Sequence, residues 1–500
     1  MRIIKFKLSG VGIAGYLSLL LLAHTACNKQ LDELTPHNVN FEDQQFLTAS
    51  GYTKATIGNY SYFASSNYEN SWFNISEYRG NNVRIIDQTS TSNLADAKNI
   101  DAFNYANSES KDYGYSYQFW QASYQGLLGI NMVLKNVRED ETDPIILQAK
   151  AENLFLRANM FFNLVRVYGR PYYQNPETNL GVPLILTPIM TTGNPPGRAT
   201  IKETYAQILK DLMIAIPLFS QVNANSYAGK YAAFALLSRV YLYMSGTFSQ
   251  PSAEYAKLSA QYADSVIINS GNQLLQGADY VNYYTIPNQS NKETIWAVNH
   301  EISTMQLPIL LNQPTGVYTG STQYSTGQVK PSPDLLGLLE AGDLRRNFYK
   351  VDKYPNNNID TFSTTKYTYK YTAVYYSNAA VHHLRLAEVY LNRAEARLKA
   401  GDNGSALEDL NIIHMRAGLT RLTGLSGQDL FNAILKERRL ELAFEGHNSY
   451  DDFRNGLPMI RNYGSFNSTP LTVNATAANV VLRIPLDVLT ENANMKQNEQ

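Results

Sequence analysis

The stretch Leu384 to Ala417, LRLAEVYLNRAEARLKAGDNGSALEDLNIIHMRA, places the tightest limit on how this chain can fold. Leu384, Ala387, Leu391, Ala394 and Leu398 recur at three- and four-residue steps, the spacing of one helix face. Gly401 and Asp402 break the pattern, and Ala406, Leu410, Ile413 and Ala417 form a second stripe. Ser405, with Glu408 three positions on, reads as a capping box that opens the second helix. Two short helices joined by a tight turn cannot bury both apolar faces alone, so they require neighbours of the same kind. Small side chains at Ala387, Ala394, Ala396 and Ala406 suit close helix–helix approach.

Such neighbours recur along the chain. Apolar stripes predict helices over 41–63, 115–137, 147–168, 230–245, 253–268 and 428–444, with another opening at Thr200. Thr200 and Glu203 form a second candidate capping box. Gly169 and Pro171 stop the 147–168 helix, and a Pro/Gly/Asn-rich crossing runs from Arg170 to Gly197. Residues 65–92, rich in Asn, Ser and aromatics, read as loops. Residues 271–381 change character, with short β-type runs at Thr294–Val298 and Tyr367–Tyr376 among Gly, Pro, Ser, Thr and Asn. The predicted fold class is therefore mainly α. Its scaffold of hairpins resembles tetratricopeptide units, and an irregular inserted lobe contains short strands. The expected organisation is a leader over 1–26, an N-terminal helical lobe over 27–270, the irregular lobe over 271–381, and a C-terminal helical region over 382–500.

The leader has a physical signature. Arg2, Lys5 and Lys7 precede an apolar run from Val11 to Ala23, too short for a comfortable membrane span. Cys27 follows, and it is the only cysteine in the chain. A disulfide framework and a cysteine-based metal site are thereby excluded. A lone Cys after an apolar run and a small residue resembles a bacterial lipobox, in which the Cys is lipidated and becomes the mature N-terminus. Acylation there would anchor the protein without a transmembrane helix.

Several segments, in order, resemble the SusD/RagB family of outer-membrane nutrient-binding lipoproteins of Bacteroidota. They are CNKQLDELTP at Cys27, FWQASYQGLLGINMVL (Phe119–Leu134) and AENLFLRANMFFNLVRVYGRPYY (Ala151–Tyr173). PSPDLLGLLEAGDLRR (Pro331–Arg346), LRLAEVYLNRAEA, ILKERRLELAFEGHNSYDDFR and the tail IPLDVLTENANMKQNEQ follow. The resemblance implies a surface-exposed, lipid-anchored outer-membrane protein facing the exterior. It implies binding of a glycan or its oligosaccharides and delivery to a SusC-like TonB-dependent transporter, without enzymatic turnover and without a cofactor.

Sugar rings present C–H faces that pack on aromatics and hydroxyls that pair with Asn, Asp, Arg and Gln. The chain holds 36 Tyr against 19 Phe and 3 Trp, which fits wet, amphipathic contacts. Trp72, in a polar setting, is the first candidate platform, with Tyr68, Tyr78, Asn81 and Arg84 as companions. Tyr283, Tyr284, Tyr318 and Tyr324 are candidates in the inserted lobe, whereas Trp120 and Trp296 read as core. A hydrolase would need two positioned carboxylates. Glu437, Glu441 and Glu445 share a helix face, but Arg438, Arg439 and Arg454 nearby mark structural ion pairs. Asp451-Asp452 reads as a helix-end polar cluster, not a metal site. His382 and His383 would face opposite ways in a strand. A formal net charge of −1 with no basic run gives nucleic-acid binding no support. The alternative to glycan binding is a non-catalytic surface scaffold that binds protein or peptide through its helical repeats.

Overall fold

The computed structural model describes residues 42–85, 100–106, 114–188, 195–221, 224–299, 317–319, 322–324, 329–349, 380–463 and 471–499. Cys27 and the Tyr367–Tyr376 run lie outside the described residues. The chain divides into two units, Met1–Gly51 and Tyr52–Gln500. In the first, a short helix spans Glu42–Gln45.

The scaffold is a succession of helices: α1 (Ala49–Phe63), α2 (Ser66–Phe73), α3 (Tyr115–Asn136), α4 (Pro144–Tyr168), α5 (Ile201–Leu218), α6 (Lys230–Met244), α7 (Ala253–Asn269), α8 (Leu386–Lys399), α9 (Asn403–Arg416), α10 (Gly427–Glu441) and α11 (Asn448–Arg454). Consecutive helices pack on one another from α3 through α7. The next helix in the array, α8, packs on α7 although 271–381 lies between them in sequence. The expected hairpin scaffold is therefore present, and the opening stretch supplies its α8–α9 unit.

Local rules explain most boundaries. Thr200 Oγ1 accepts from Glu203 N–H (3.1 Å) and Glu203 returns a carboxylate to Thr200 N–H (2.8 Å), the predicted capping box. The second predicted box is displaced. Asp402, not Ser405, is the cap of α9, accepting from Ser405 N–H at 3.0 Å. Gly401 turns the chain with φ +93°, so the helix restarts before Ser405 is reached. The loops expected over 65–92 are also corrected, because α2 and a π-helical turn at Asn74–Tyr78 occupy the first half. Tyr68, Trp72 and Ile75 recur at helical spacing and are buried, and the Asn163 side chain donates to the Tyr68 hydroxyl at 2.7 Å. A helix buried this deeply does not need the low polarity that composition alone would require.

Among the described residues, eight short strands form separate two-stranded ribbons. Strand β1 (Val83–Ile85) pairs antiparallel with β5 (Val329–Pro331), and β2 (Thr294–Asn299) with β6 (Ala380–Arg385). Between them in sequence, β3 (Val317–Thr319) and β4 (Thr322–Tyr324) form a hairpin, and β7 (Met459–Arg461) pairs with β8 (Leu471–Val473). The β2–β6 ribbon packs against α6 and delivers the chain into α8, so the insertion is clamped at its base by the scaffold it interrupts. Trp296 is fully buried there and meets Phe63 and Phe155 edge-on, while Trp120 packs against Tyr124 and Tyr168, as expected for core residues.

The interior joining β6 to α9 and α10 is ionic. Arg385 pairs with Glu441 (2.6 Å), Glu445 (2.5 Å) and Glu293 (3.1 Å), and Arg416 with Glu293 (2.8 Å) and Glu441 (2.5 Å). The pairing expected for Glu437, Glu441 and Glu445 exists, but with different partners. Arg345, Arg385 and Arg416 arrive from distant segments, while Arg438 and Arg454 serve Asp451 and Glu395. Arg385→Ala leaves these carboxylates buried without their cation. It should cost about 3–5 kcal/mol in urea unfolding, whereas breaking an exposed pair such as Lys202–Glu177 should leave the unfolding midpoint nearly unchanged.

Candidate functional site

The structure moves most of the expected aromatic platform into the interior. Trp72 is 4% exposed, Tyr68 and Tyr78 0%, Tyr283 1% and Tyr284 6%, so none offers a ring face to a sugar. Trp72 stacks on His383 (5.5 Å, 28°), and it fits because position 446 is glycine: a Cβ at Gly446 would lie 2.2 Å from the indole. Tyr284 donates to Glu445 at 2.5 Å and Tyr283 shares a hydrogen bond with Thr294 at 2.8 Å. These tyrosines carry their polar tips to buried partners, which is how a hydroxyl-bearing ring is accommodated in a core. His382 and His383 do diverge: His382 meets Tyr283 and Thr294, and His383 meets Trp72 and Trp296. Tyr318 and Tyr324 lie on the β3–β4 hairpin, opposite Gln323 and Val317, and their side chains are outside the described residues.

Arg84 is half-buried, while Asn81 is buried and its side chain donates to Ile460 O at 3.2 Å, which removes Asn81 from the expected ligand face; the structure explains how both are held. The loop Tyr78–Asn82 is pinned through its carbonyls by side chains from far along the chain. Arg461 donates to Gly80 O (2.7 Å) and Tyr78 O (2.5 Å), and Ser332 (2.6 Å) and Arg439 (2.9 Å) both donate to Asn81 O. This fixes the entry to β1. In the β1–β5 register Arg84 stands opposite Lys330 and Ile85 opposite Val329. Burial lowers the Arg84 guanidinium from its ordinary value. Segments 86–99 and 325–328 therefore both attach at the Ile85–Val329 end of one rigid ribbon. In the same way, Asn299 stands opposite Ala380, so the segments after β2 and before β6 attach at one ribbon end.

The other end of the β1–β5 ribbon borders a cleft of about 260 Å³ between Asn82, α10 and α11. Its polar lining includes Arg438, Arg439, His447, Asp451 and Asp452. Asp451 is committed to Arg438 (3.0 Å) and Arg454 (2.7 Å). Burial pushes the Asp452 carboxyl up to about 7, with Arg439 opposing and Asp451 adding to the rise. Burial and the surrounding arginines hold His447 well below its usual range, so it is a neutral imidazole. A larger cleft of about 490 Å³ lies by Asn225, Tyr227, Lys230 and Asn272. Its amides are already spent on bracing the chain: Asn225 donates to Asn288 O and Asn291 O, and Asn272 to Lys292 O and Thr294 O. Among the described residues no group of three His, Cys, Asp or Glu side chains is placed to hold a metal ion, and no helix is long and apolar enough to cross a membrane.

Catalysis by the helix-face glutamates lacks its chemistry. Burial works against the Glu441 carboxylate, but Arg416 and Arg385 outweigh it and hold the group well below the usual range. Glu437 is likewise lowered against its burial, by Arg345 and His414. A general acid needs the opposite shift.

Comparison with known proteins matches the chain at both ends. Residues 36–242 match a family model described as "Starch-binding associating with outer membrane", and residues 313–500 match the model of the SusD family. A SusD-like protein of Bacteroides ovatus is 27% identical over 373 residues, 66% of this chain and 64% of the relative, so the match spans less than two thirds of that protein. A SusD-like protein of Formosa agariphila is 24% identical over 433 residues, 75% of this chain and 76% of the relative. The crystal structure of a SusD superfamily protein from Bacteroides thetaiotaomicron superposes with a TM-score of 0.75 at 26% identity, covering 91% of this chain and 100% of that one.

Two outcomes follow from this placement. Trp72→Ala should lower stability by about 3–5 kcal/mol in thermal or urea unfolding, where an exposed ligand platform would leave it within about 0.5 kcal/mol. Because the folded-state carboxyl of Asp452 is raised, its stabilising contribution is complete at about pH 4 and is lost as pH rises through about 7. Asp452→Asn should therefore exceed wild type by about 1–2 kcal/mol at pH 8, with the gap closing toward pH 4 in urea titrations.

Proposed function

From the premise that the chain belongs to the SusD/RagB family, we propose that it binds glycans or oligosaccharides at the cell surface and delivers them to a TonB-dependent outer-membrane transporter. It is anchored through a lipid on Cys27, faces the exterior and carries out no turnover. The observation that carries this reading is the β1–β5 register, which gathers 86–99 and 325–328 at one end of a ribbon braced by the helical scaffold. Loops held on a rigid base are the usual bearers of recognition, since the base fixes their ends without constraining their chemistry. The description of the family model matched by 36–242 agrees with a carbohydrate ligand and an outer-membrane setting. The ligand face is assigned to Arg84, Tyr318 and Tyr324 and the segments they border.

Affinity electrophoresis against a polysaccharide panel that includes starch tests the reading. The full chain should be retarded by at least one polysaccharide without releasing reducing ends. Arg84→Ala and Tyr318→Ala should each cost about 1–3 kcal/mol of binding with the unfolding midpoint unchanged. Cys27→Ala should move the protein out of the membrane fraction. Absence of retardation by every polysaccharide, with peptide partners captured instead, would favour the scaffold alternative and sink the glycan reading.

A further inference from the structure

The cleft beside Asn82 gathers polar groups that lack partners. Around Arg385 and Arg416, by contrast, the buried charges are matched by carboxylates. Here Asp452 lines the cleft, and its carboxylate makes no hydrogen bond among the described residues. His447 is 5% exposed, lines the same cleft, and its Nδ1 has no hydrogen-bond partner among the described residues. Arg439 commits Nε to Asn82 Oδ1 and Nη2 to Asn81 O, both at 2.9 Å, and leaves Nη1 uncommitted. A buried polar group left unpaired is costly, and His447 Nδ1 is such an atom; the partly exposed Asp452 carboxylate and Arg439 Nη1 stand in the same lining, so the three together point to a polar ligand that pairs with them.

The lining decides what that is. Arg438, Arg439 and Lys436 stand against Asp451 and Asp452. An anion in the cleft would meet Asp452, and a cation would meet Arg439. A hydroxyl group suits both, since it donates to a carboxylate and accepts from a guanidinium. Leu338, Leu435 and Leu442 provide apolar wall for a C–H face. The volume of about 260 Å³ lies near the lower bound of small-molecule sites, which is room for one ring and not for a chain.

We propose that this cleft binds a single neutral, hydroxyl-rich ring, an end or branch unit of a glycan, with Asp452 and Arg439 holding neighbouring hydroxyls and His447 completing the floor. The proposal rests on the glycan reading for the source of the ring. It names a place apart from the attachment points of 86–99 and 325–328, which lie at the other end of a three-residue ribbon, roughly 7 Å away along the strand.

Isothermal titration of the full chain with D-glucose, D-galactose, D-mannose and L-rhamnose tests it, with D-glucuronate and D-glucosamine as charged counterparts. At least one neutral sugar should bind saturably, and the charged counterparts at least fivefold more weakly. Asp452→Ala and Arg439→Gln should each weaken that sugar at least tenfold. Lys202→Ala, at the exposed pair with Glu177 and outside the cleft lining, should change it less than twofold. If Asp452→Ala does not fold, Asp452→Asn keeps the shape and carries the test. No saturable binding of any neutral sugar, unchanged binding in the Asp452 variant, or tighter binding of a charged counterpart overturns the proposal. Polysaccharide retardation measured on the same sample separates the two readings. Retardation without monosaccharide binding removes the cleft and keeps the glycan function, and loss of both removes both.

Discussion

The fold depends on charge buried between segments that are far apart in sequence. Arg385, at the end of β6, holds Glu441 at the end of α10, Glu445 in the turn that follows it rather than on the expected helix face, and Glu293 from the entry to β2. Arg416 shares Glu293 and Glu441. Each ion alone would cost several kcal/mol to desolvate, and the set is tolerable only when every member is in place. The network therefore specifies as much as it stabilises. It admits one arrangement in which the inserted lobe closes onto the C-terminal hairpins, because any slip strands a carboxylate. The same logic repeats along the array, with Arg239 on Glu388, Arg393 on Asp409 and Arg454 on Glu395.

That rigidity is what the surface uses. The loop Tyr78–Asn82 has little regular structure of its own, yet Arg461, Arg439 and Ser332 fasten its carbonyls from three other segments. Strand β1 inherits a fixed position, and through β5 so do both attachment points of the neighbouring segments. One end of the ribbon is where 86–99 and 325–328 attach, and the other borders a polar cleft.

Helices were legible in the sequence where a stripe of apolar residues repeats, as at Leu384–Leu398 and at Ile201, Tyr205, Ile208 and Leu212. The region around Trp72 was misread as loops because its Asn and Ser content imitates a surface, while its partners, Asn163 and His383, lie far away in sequence. The same distance hid the partners of Glu441. Neighbouring arginines were the only cations visible locally, and the true ones come from Arg385 and Arg416. Asp452 carried no signal of its own, since one carboxylate among 43 acidic residues is distinguished only by what surrounds it.

By itself the sequence determined the scaffold and the class. Helical periodicity is a local property of the chain, and it survives without knowledge of neighbours. It also carried the lone Cys27 after an apolar run, and the segments that resemble the family. Only the tertiary structure decided which aromatics face water, which acids are paired, and where a carboxylate, an imidazole and a guanidinium are brought together around a cavity. Exposure and pairing are relations between distant residues, and a one-dimensional pattern does not contain them until the chain has closed.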